Sequence, residues 1–402
     1  MDHARFLPLI EWIAAAGLSG RRERELLQGF CERALALGLP LSRAVIGVDT
    51  LHPILEGRVF EWQRDRAGAT QSDYGRLDLE SSDDKWLQSP FHRLYESGAT
   101  TFRQRLGKQA LDFPVLRDLQ QRGMTDYLAI VNRFGADGAI GAMDCTYSSW
   151  ASDHAGGFSA ADLAALEFLV PCLALAIKSA STAGIAETLV ETYLGRDAGH
   201  RVLRGHIERG IAEKISAVLW FSDLQGFTRI TESAPPEQII PLLNDYADAL
   251  VTAIDGQGGE VLKFMGDGIL AIFDAADAAD ACACALDAAA DAHRGVAVLN
   301  QRREAAGLPV TRFYLGLHVG EVFYGNVGSV DRLDFTVVGP SVNETSRIAA
   351  MCRSLDQDVL LSSGFAEAAG TRRRRLVSVG RYALRGVQRP QELYTLDSEA
   401  AP

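Results

Sequence analysis

Cysteine is scarce in this chain and nowhere clustered. The 402 residues hold six, Cys31, Cys145, Cys172, Cys282, Cys284 and Cys352, without the dense, even spacing of a secreted disulfide scaffold. Cys282 and Cys284 are neighbours only in sequence: their alanine-rich stretch is expected to be helical, where positions i and i+2 point to different faces, so they form no metal clip. Excess basic charge is lacking as well. Forty Lys and Arg against 52 Asp and Glu give a net charge of −12 and a pI near 5.2, which excludes a broad surface for tracking nucleic-acid backbones and sets the chain against an acidic membrane. The one basic run, Arg372 to Arg375, reads as a solvated loop or helix end.

Uninterrupted hydrophobic runs are few. The N-terminal MDHARFLPLIEWIAAAGL is broken by Pro8 and Glu11 and has no clear cleavage signature, so an amphipathic packing helix is expected there rather than a signal peptide. LAALEFLVPCLALAIK, from Leu163, contains Glu167 and is short for a bilayer span. A cytoplasmic protein with no membrane and no nucleic-acid partner is the expectation. No P-loop, zinc-binding histidine pattern or nucleophile elbow occurs.

Hydrophobic residues make up 47% of the chain, enough for two or three domains with cores of their own. Residues 1–183 read as one α/β domain. It contains strands Tyr127 to Arg133 and Ala139 to Tyr147, and a helix opened by Ser159 and Asp162 with Leu163, Leu166, Leu169 and Leu173 at helical spacing. This hairpin, loop and long helix resemble the last part of a GAF-type sensor domain. The resemblance implies an unidentified small-molecule or protein signal; a domain serving only dimerisation is the ordinary alternative. Residues 184–211, polar and punctuated by Gly195, Gly199 and Gly205, are expected to be a helical linker.

Residues 212–402 alternate strand and helix. Strands are expected at Ser216 to Phe221, Glu260 to Phe264, Ile269 to Phe273, Arg312 to Val319, Glu321 to Val327 and Phe335 to Val338. Helices are expected from Phe227 or Pro236 to Ile254, Ala275 to Ala305, and Pro340 to Cys352. The fold class is α+β: a ferredoxin-like βαββαβ core with its helices on one face of an antiparallel sheet. Asp223 would then end the first strand, next to the hairpin turn that holds Asp267 between Gly266 and Gly268. Two carboxylates meeting at one sheet edge suit Mg²⁺, which takes one or two carboxylates plus phosphates and water. Gly226, Phe227 and Thr228 open a turn or helix whose free N–H groups would cradle phosphate. Taken singly, Asp223 as a helix N-cap and Asp267 as a turn residue are the ordinary alternatives.

FSDLQGFT, KFMGDG, GLHVGEVFYGNVGS and TVVGPSVNETSR, in this order and spacing, resemble the signature segments of class III adenylate/guanylate cyclases over roughly Ile215 to Leu396. The resemblance implies that Asp223, Asp267 and the backbone carbonyl of Leu224 bind two Mg²⁺ ions, with Mn²⁺ as a substitute. Asn343 and Arg347, four apart on one helix, would orient the ribose and stabilise the α-phosphoryl charge. An ion pair of Arg347 with Glu344 is the ordinary alternative. Lys263 and Thr336 align with the family's base-reading pair: Lys donates to adenine N1 and Thr accepts from the N6 amine, which favours ATP over GTP. Arg385 stands where relatives often show a phosphate-binding Lys. The implied activity is conversion of ATP to 3',5'-cyclic AMP and pyrophosphate, in a head-to-tail homodimer with two composite sites, regulated by the N-terminal domain. A guanylate cyclase and a catalytically silent nucleotide-binding module are the alternatives; the turn motif of diguanylate cyclases is absent.

Overall fold

The computed structural model describes residues 3–75, 86–107, 110–387 and 389–397. Two compact units divide the chain, Met1–Leu189 and Val190–Pro402. The stretch expected to be a separate linker is therefore shared between them.

In the first unit, helices α1 (Leu7–Leu18) and α2 (Glu23–Ala36) precede strands β1 (Arg43–Asp49), β2 (Leu55–Gln63) and β3 (Thr70–Gly75). Helix α3 (Pro90–Ser97), β4 (Thr101–Arg105), α4 (Pro114–Gln121), β5 (Asp126–Arg133), β6 (Cys145–Ser152) and α5 (Ala160–Leu194) follow. The strands form one antiparallel sheet in the order β3-β2-β1-β6-β5-β4. Alternation sends Ile46, Val48, Phe60, Ile130 and Trp150 to the face packed by Leu9, Ile13, Leu26, Phe30, Leu166, Leu169 and Ile177. Tyr127, Val131 and Tyr147 line the other face with Leu94, Leu116 and Leu119 of α3 and α4. Each such side chain buried contributes about 1.5–3 kcal/mol.

Strand β6 starts at Cys145, not at Ala139. Gly141, at φ +59°, and an isolated bridge between Ile140 and Met143 make a tight turn where the sequence pattern suggests strand. The start of α5 is as expected: Ser159 Oγ accepts from the Asp162 N–H at 3.2 Å, and the Asp162 carboxylate accepts from the Ser159 N–H at 2.8 Å. The helix is much longer than expected. Its best 18-residue window has mean hydropathy 2.0, so by length and composition alone it could cross a bilayer. Within this unit its inner stripe packs on the sheet through Leu166, Leu169, Leu173 and Ile177.

The second unit opens with α6 (Arg196–Leu203), β7 (Ala212–Leu224), α7 (Phe227–Ser233) and α8 (Ile239–Gly256). Then come β8 (Glu260–Met265), β9 (Gly268–Asp274), α9 (Ala278–Ala305), β10 (Phe313–Gly328) and β11 (Leu333–Val338). Helix α10 (Pro340–Leu355), β12 (Val359–Ser362), α11 (Ser363–Ala368), β13 (Leu376–Tyr382) and β14 (Gln391–Leu396) complete it. The sheet order is β13-β14-β12-β10-β7-β9-β8, with β11 paired to β10. The part β10-β7-β9-β8 is the ferredoxin-like core, entirely antiparallel, while β12 adds in parallel to β10.

Three expectations are corrected. Strand β7 runs through Asp223 to Leu224 instead of stopping at Phe221. The two strands expected around Gly320 are one continuous β10. Gly320 is no breaker there: it stays in register with Ala217, and a Cβ on it would lie 2.4 Å from Ser341 Oγ, so glycine lets the start of α10 approach. Helices also lie on both faces. Alanines of α9 and residues of α8 pack on Val218, Trp220 and Leu315, whereas Ala198 of α6 and the side chains Phe335 and Val337 of β11 cover Leu219, Leu270 and Val322. Helix α10 sits close to β10 because Gly316 has no side chain; a Cβ there would be 2.7 Å from the backbone of Ala349 and Thr345.

Asp126 is fully buried and accepts from Arg103 Nη2 at 2.6 Å, the Phe158 N–H at 2.9 Å and the Tyr127 N–H at 3.1 Å. Asp126→Ala leaves the two amides without this acceptor and Arg103 with only the Phe158 carbonyl, so the first unit is expected to lose about 1–3 kcal/mol. Urea unfolding followed by tryptophan fluorescence measures this, and a loss below about 1 kcal/mol would contradict it.

Candidate functional site

Alternation along β7 sends Val218, Trp220 and Leu224 into the α8/α9 core, and Leu219 and Phe221 to the opposite face. Asp223 follows Phe221 on that opposite face, one pair beyond the Ser222–Ile269 rung that joins β7 to β9. The adjacent β8–β9 hairpin leaves no slack in its register: Met265 pairs with Gly268, and only Gly266 and Asp267 form the turn. Gly266 takes φ +69°, the first-position conformation of a type II′ hairpin. Gly268 has little room for a side chain: a Cβ would be 3.0 Å from Ser222 O and 3.5 Å from Asp223 Oδ1.

The two carboxylates are thereby brought together. Burial first, then the charge and hydrogen bond of Asp267, raise the pKa of Asp223 to about 6, while the Leu224 N–H opposes the rise. Among the described residues no Lys, Arg or His lies within ion-pair distance of either carboxylate. A donor set of two half-buried, mutually repelling carboxylates at a sheet edge fits a hard divalent cation. Leu224 is buried in the α8/α9 core. Just beyond, Gly226, at φ +66°, starts α7 at Phe227 and Thr228 without a side-chain cap.

Lys263 reaches the same face through a β-bulge. A register shift between Val261 and Lys263 sets Lys263 opposite Leu270, whose side chain lies on the Asp223 side of the sheet. There Lys263 Nζ donates to the Asp334 carboxylate of β11. Thr336 is two residues along the same strand, so it shares a face with Asp334. It is 6% exposed, and its Oγ1 is buried without a hydrogen-bond partner. Asp334 escaped the sequence reading, although strand alternation around Thr336 was a signal that could have found it.

Asn343 is exposed on the first turns of α10, and Arg347 lies one turn further. Arg347 and Glu344 are not within ion-pair distance, although the arginine's charge opposes the rise that burial causes in the Glu344 pKa. Arg347 lies against the turn that carries Arg385, where a Cβ on Gly386 would come 3.1 Å from its Nη1. Arg385 itself is exposed. No hydrogen bond or ion pair among the described residues joins the carboxylate pair, the Lys263–Asp334–Thr336 group and the arginines to one another.

The raised pKa has a definite sign. Asp223 binds its proton more tightly folded than unfolded, so its destabilising effect is absent near pH 4, grows as pH rises toward about 6, and is full above it. Asp267→Asn removes the like charge. The metal-free variant is expected to be more stable than the parent at pH 7–8 and equal to it near pH 4; thermal unfolding across this range in EDTA checks it, and a gap independent of pH would refute the assignment.

Residues 212–398 match the family model described as adenylate and guanylate cyclase catalytic domain. The chain is 34% identical over 161 residues to an adenylate cyclase of Anabaena cylindrica, covering 39% of this chain and 31% of that protein. It is 32% identical over 163 residues to adenylate cyclase 1 of Rhizobium meliloti, covering 39% of this chain and 24% of that protein. The chain thus spans less than a third of the length of these two relatives. Among solved structures, the adenylyl cyclase CyaB from P. aeruginosa aligns at 24% identity and TM-score 0.42, over 46% of this chain and 95% of that one. Residues 212–398 are a catalytic domain of the class III adenylate/guanylate cyclase family.

Proposed function

We propose that the chain is an adenylate cyclase, converting ATP to 3',5'-cyclic AMP and pyrophosphate. The observation that carries the reading is the pairing of Asp223 with Asp267, with no basic side chain in ion-pair distance among the described residues, inside a domain of this family. Asp223, Asp267 and the Leu224 carbonyl would hold two Mg²⁺ ions, or Mn²⁺ in their place. Bound there, the ions supply a lowered pKa for the ribose 3'-hydroxyl and charge neutralisation for the triphosphate.

The chain's own residues position the rest. Asn343 orients the ribose so that its 3'-oxygen attacks the α-phosphorus as the bond to pyrophosphate breaks. Arg347 donates its planar fork to the α-phosphoryl oxygens as negative charge builds on them. Arg385 and the N–H groups at Gly226, Phe227 and Thr228 hold the phosphates. Lys263 and Thr336 read the base, Lys263 donating to adenine N1 and the unpartnered Thr336 Oγ1 accepting from its N6 amine. The likeness of residues 212–398 to cyclase catalytic domains supports a homodimer, head to tail, in which one copy supplies the carboxylates and the other Lys263, Thr336, Asn343 and Arg347.

The N-terminal unit is read as a GAF-like sensor domain, supported by its six-stranded antiparallel sheet, helices on both faces and long closing helix. A cytoplasmic setting goes with this reading. Removing residues 1–189 is expected to change kcat while ATP is still bound; identical kinetics in the truncated and full chains would argue against regulation.

The decisive assay is product analysis on the purified full chain with ATP or GTP and Mg²⁺ or Mn²⁺. Cyclic AMP from ATP is expected, absent in Asp223→Ala and reduced about 10²–10³-fold in kcat by Arg347→Ala. Lys263→Glu combined with Thr336→Cys is expected to shift turnover toward GTP. Cyclic GMP as the parent's main product would reject the adenine assignment.

A further inference from the structure

Five side-chain polar atoms among the described residues are buried with no hydrogen-bond partner. Three of them, Arg58 Nε, Thr146 Oγ1 and Asn132 Nδ2, belong to a single row of the first unit's sheet. The register places Arg58 opposite Val48, Val48 opposite Thr146, and Thr146 opposite Asn132, across β2, β1, β6 and β5. Directly paired residues share a face, and Val48 fixes which one: the side covered by α1, α2 and α5.

Two of the three orphaned atoms are N–H donors and the third is a hydroxyl. Thr146 is 1% exposed, so water from bulk does not satisfy it. Arg58 has no ion pair among the described residues, although it is partly buried beneath α5: a Cβ on Gly184 would lie 3.8 Å from its Nη1. Its buried Nε–H is left without an acceptor, which is costly unless an oxygen arrives to take it. Asn132 also lines a groove of about 700 Å³ between the sheet and α5, with Phe134, Pro171, Ala174 and Lys178. Lys178 has no acidic partner among the described residues either; its Nζ lies 4.4 Å from the centre of the Phe134 ring. Glu167 is the one acid lining the groove, and it is exposed. Arg133, also on the groove, already donates to the carbonyls of Leu94, Tyr95 and Gly98.

We infer that the seam between this sheet and α5 binds a small oxyanion, a carboxylate- or phosphate-bearing metabolite. Its oxygens accept from Arg58, Asn132 and Thr146, Lys178 adds charge at the mouth, and Pro171 and Ala174 meet its apolar part. The inference stands on the first unit alone and is independent of the cyclase reading. If the anion binds, it joins the sheet to α5, the helix that closes this unit.

The test is thermal unfolding of the full chain, followed by tryptophan fluorescence, with succinate, inorganic phosphate or sodium chloride at equal ionic strength. A saturable rise of roughly 3–6 °C with succinate or phosphate but not chloride is expected. The effective one of the two identifies carboxylate or phosphate chemistry. Arg58→Met and Asn132→Leu are expected to weaken the effect at least tenfold in apparent affinity. Thr146→Val, nearly isosteric, guards against variants that fail to fold; it keeps the parent's stability without anion and loses part of the anion response. No saturable rise with either oxyanion, or an equal rise in parent and variants, would overturn the proposal.

Discussion

Two carboxylates are held against each other at the edge of the second unit's sheet, and the surrounding backbone is arranged to keep them there. Asp223 cannot retreat, because β7 is the central strand, laddered to β9 on one side and β10 on the other. Asp267 is confined by a two-residue hairpin whose glycines are both constrained, Gly266 by its positive φ and Gly268 by the closeness of Ser222 O. The pair is a net liability to the metal-free fold, visible in the raised pKa of Asp223. Buried Val218, Trp220 and Leu317 beneath it supply the packing that tolerates this cost. Local instability kept in place by a strong core is the usual mark of a site built for a ligand.

The same sheet face acquires its second group through an irregularity. Val261 packs toward α8 and α9 and Leu262 toward the other face, so simple alternation would aim Lys263 into the core. The bulge after Val261 resets the alternation, and the ammonium emerges beside Asp334 instead. Asp334 neutralises a lysine that would otherwise sit partly buried and unpaired, and fixes the direction of its ammonium. On the proposed reading, in which Lys263 reads the base, such a fixed direction matters, because its flexible four-carbon stem leaves specificity to depend on where its donors point.

Much of this was legible in the sequence, for reasons that differ by element. The β7 run, the alanine-rich α9 and the Gly-Asp-Gly turn carry strong local signals, and the ferredoxin-like order follows once their sequence of strands is known. What misled was glycine. Gly320 looked like a strand end and is instead a place of close approach by Ser341, a tertiary fact that no local pattern encodes. The polar, glycine-punctuated stretch after residue 184 looked like a linker, yet Ala198 is buried and the Glu260 side chain accepts from the Asp197 N–H at 2.8 Å, so α6 belongs to the second unit. Asp334 went unseen because its importance lies in a contact 71 residues away in sequence.

Charge makes the remaining connection. Asp223 and Asp267 lack a paired cation among the described residues, while Arg347 and Arg385 approach one turn with no acid in ion-pair contact there. Within one chain these two imbalances do not cancel, because no ion pair among the described residues brings them together. A metal-bound nucleotide carries both missing charges: a divalent cation for the carboxylates and phosphates for the arginines. On the proposed reading, two copies packed head to tail let one such ligand settle both imbalances at once. Substrate binding and dimer formation then draw on the same electrostatic deficit, so each is expected to strengthen the other.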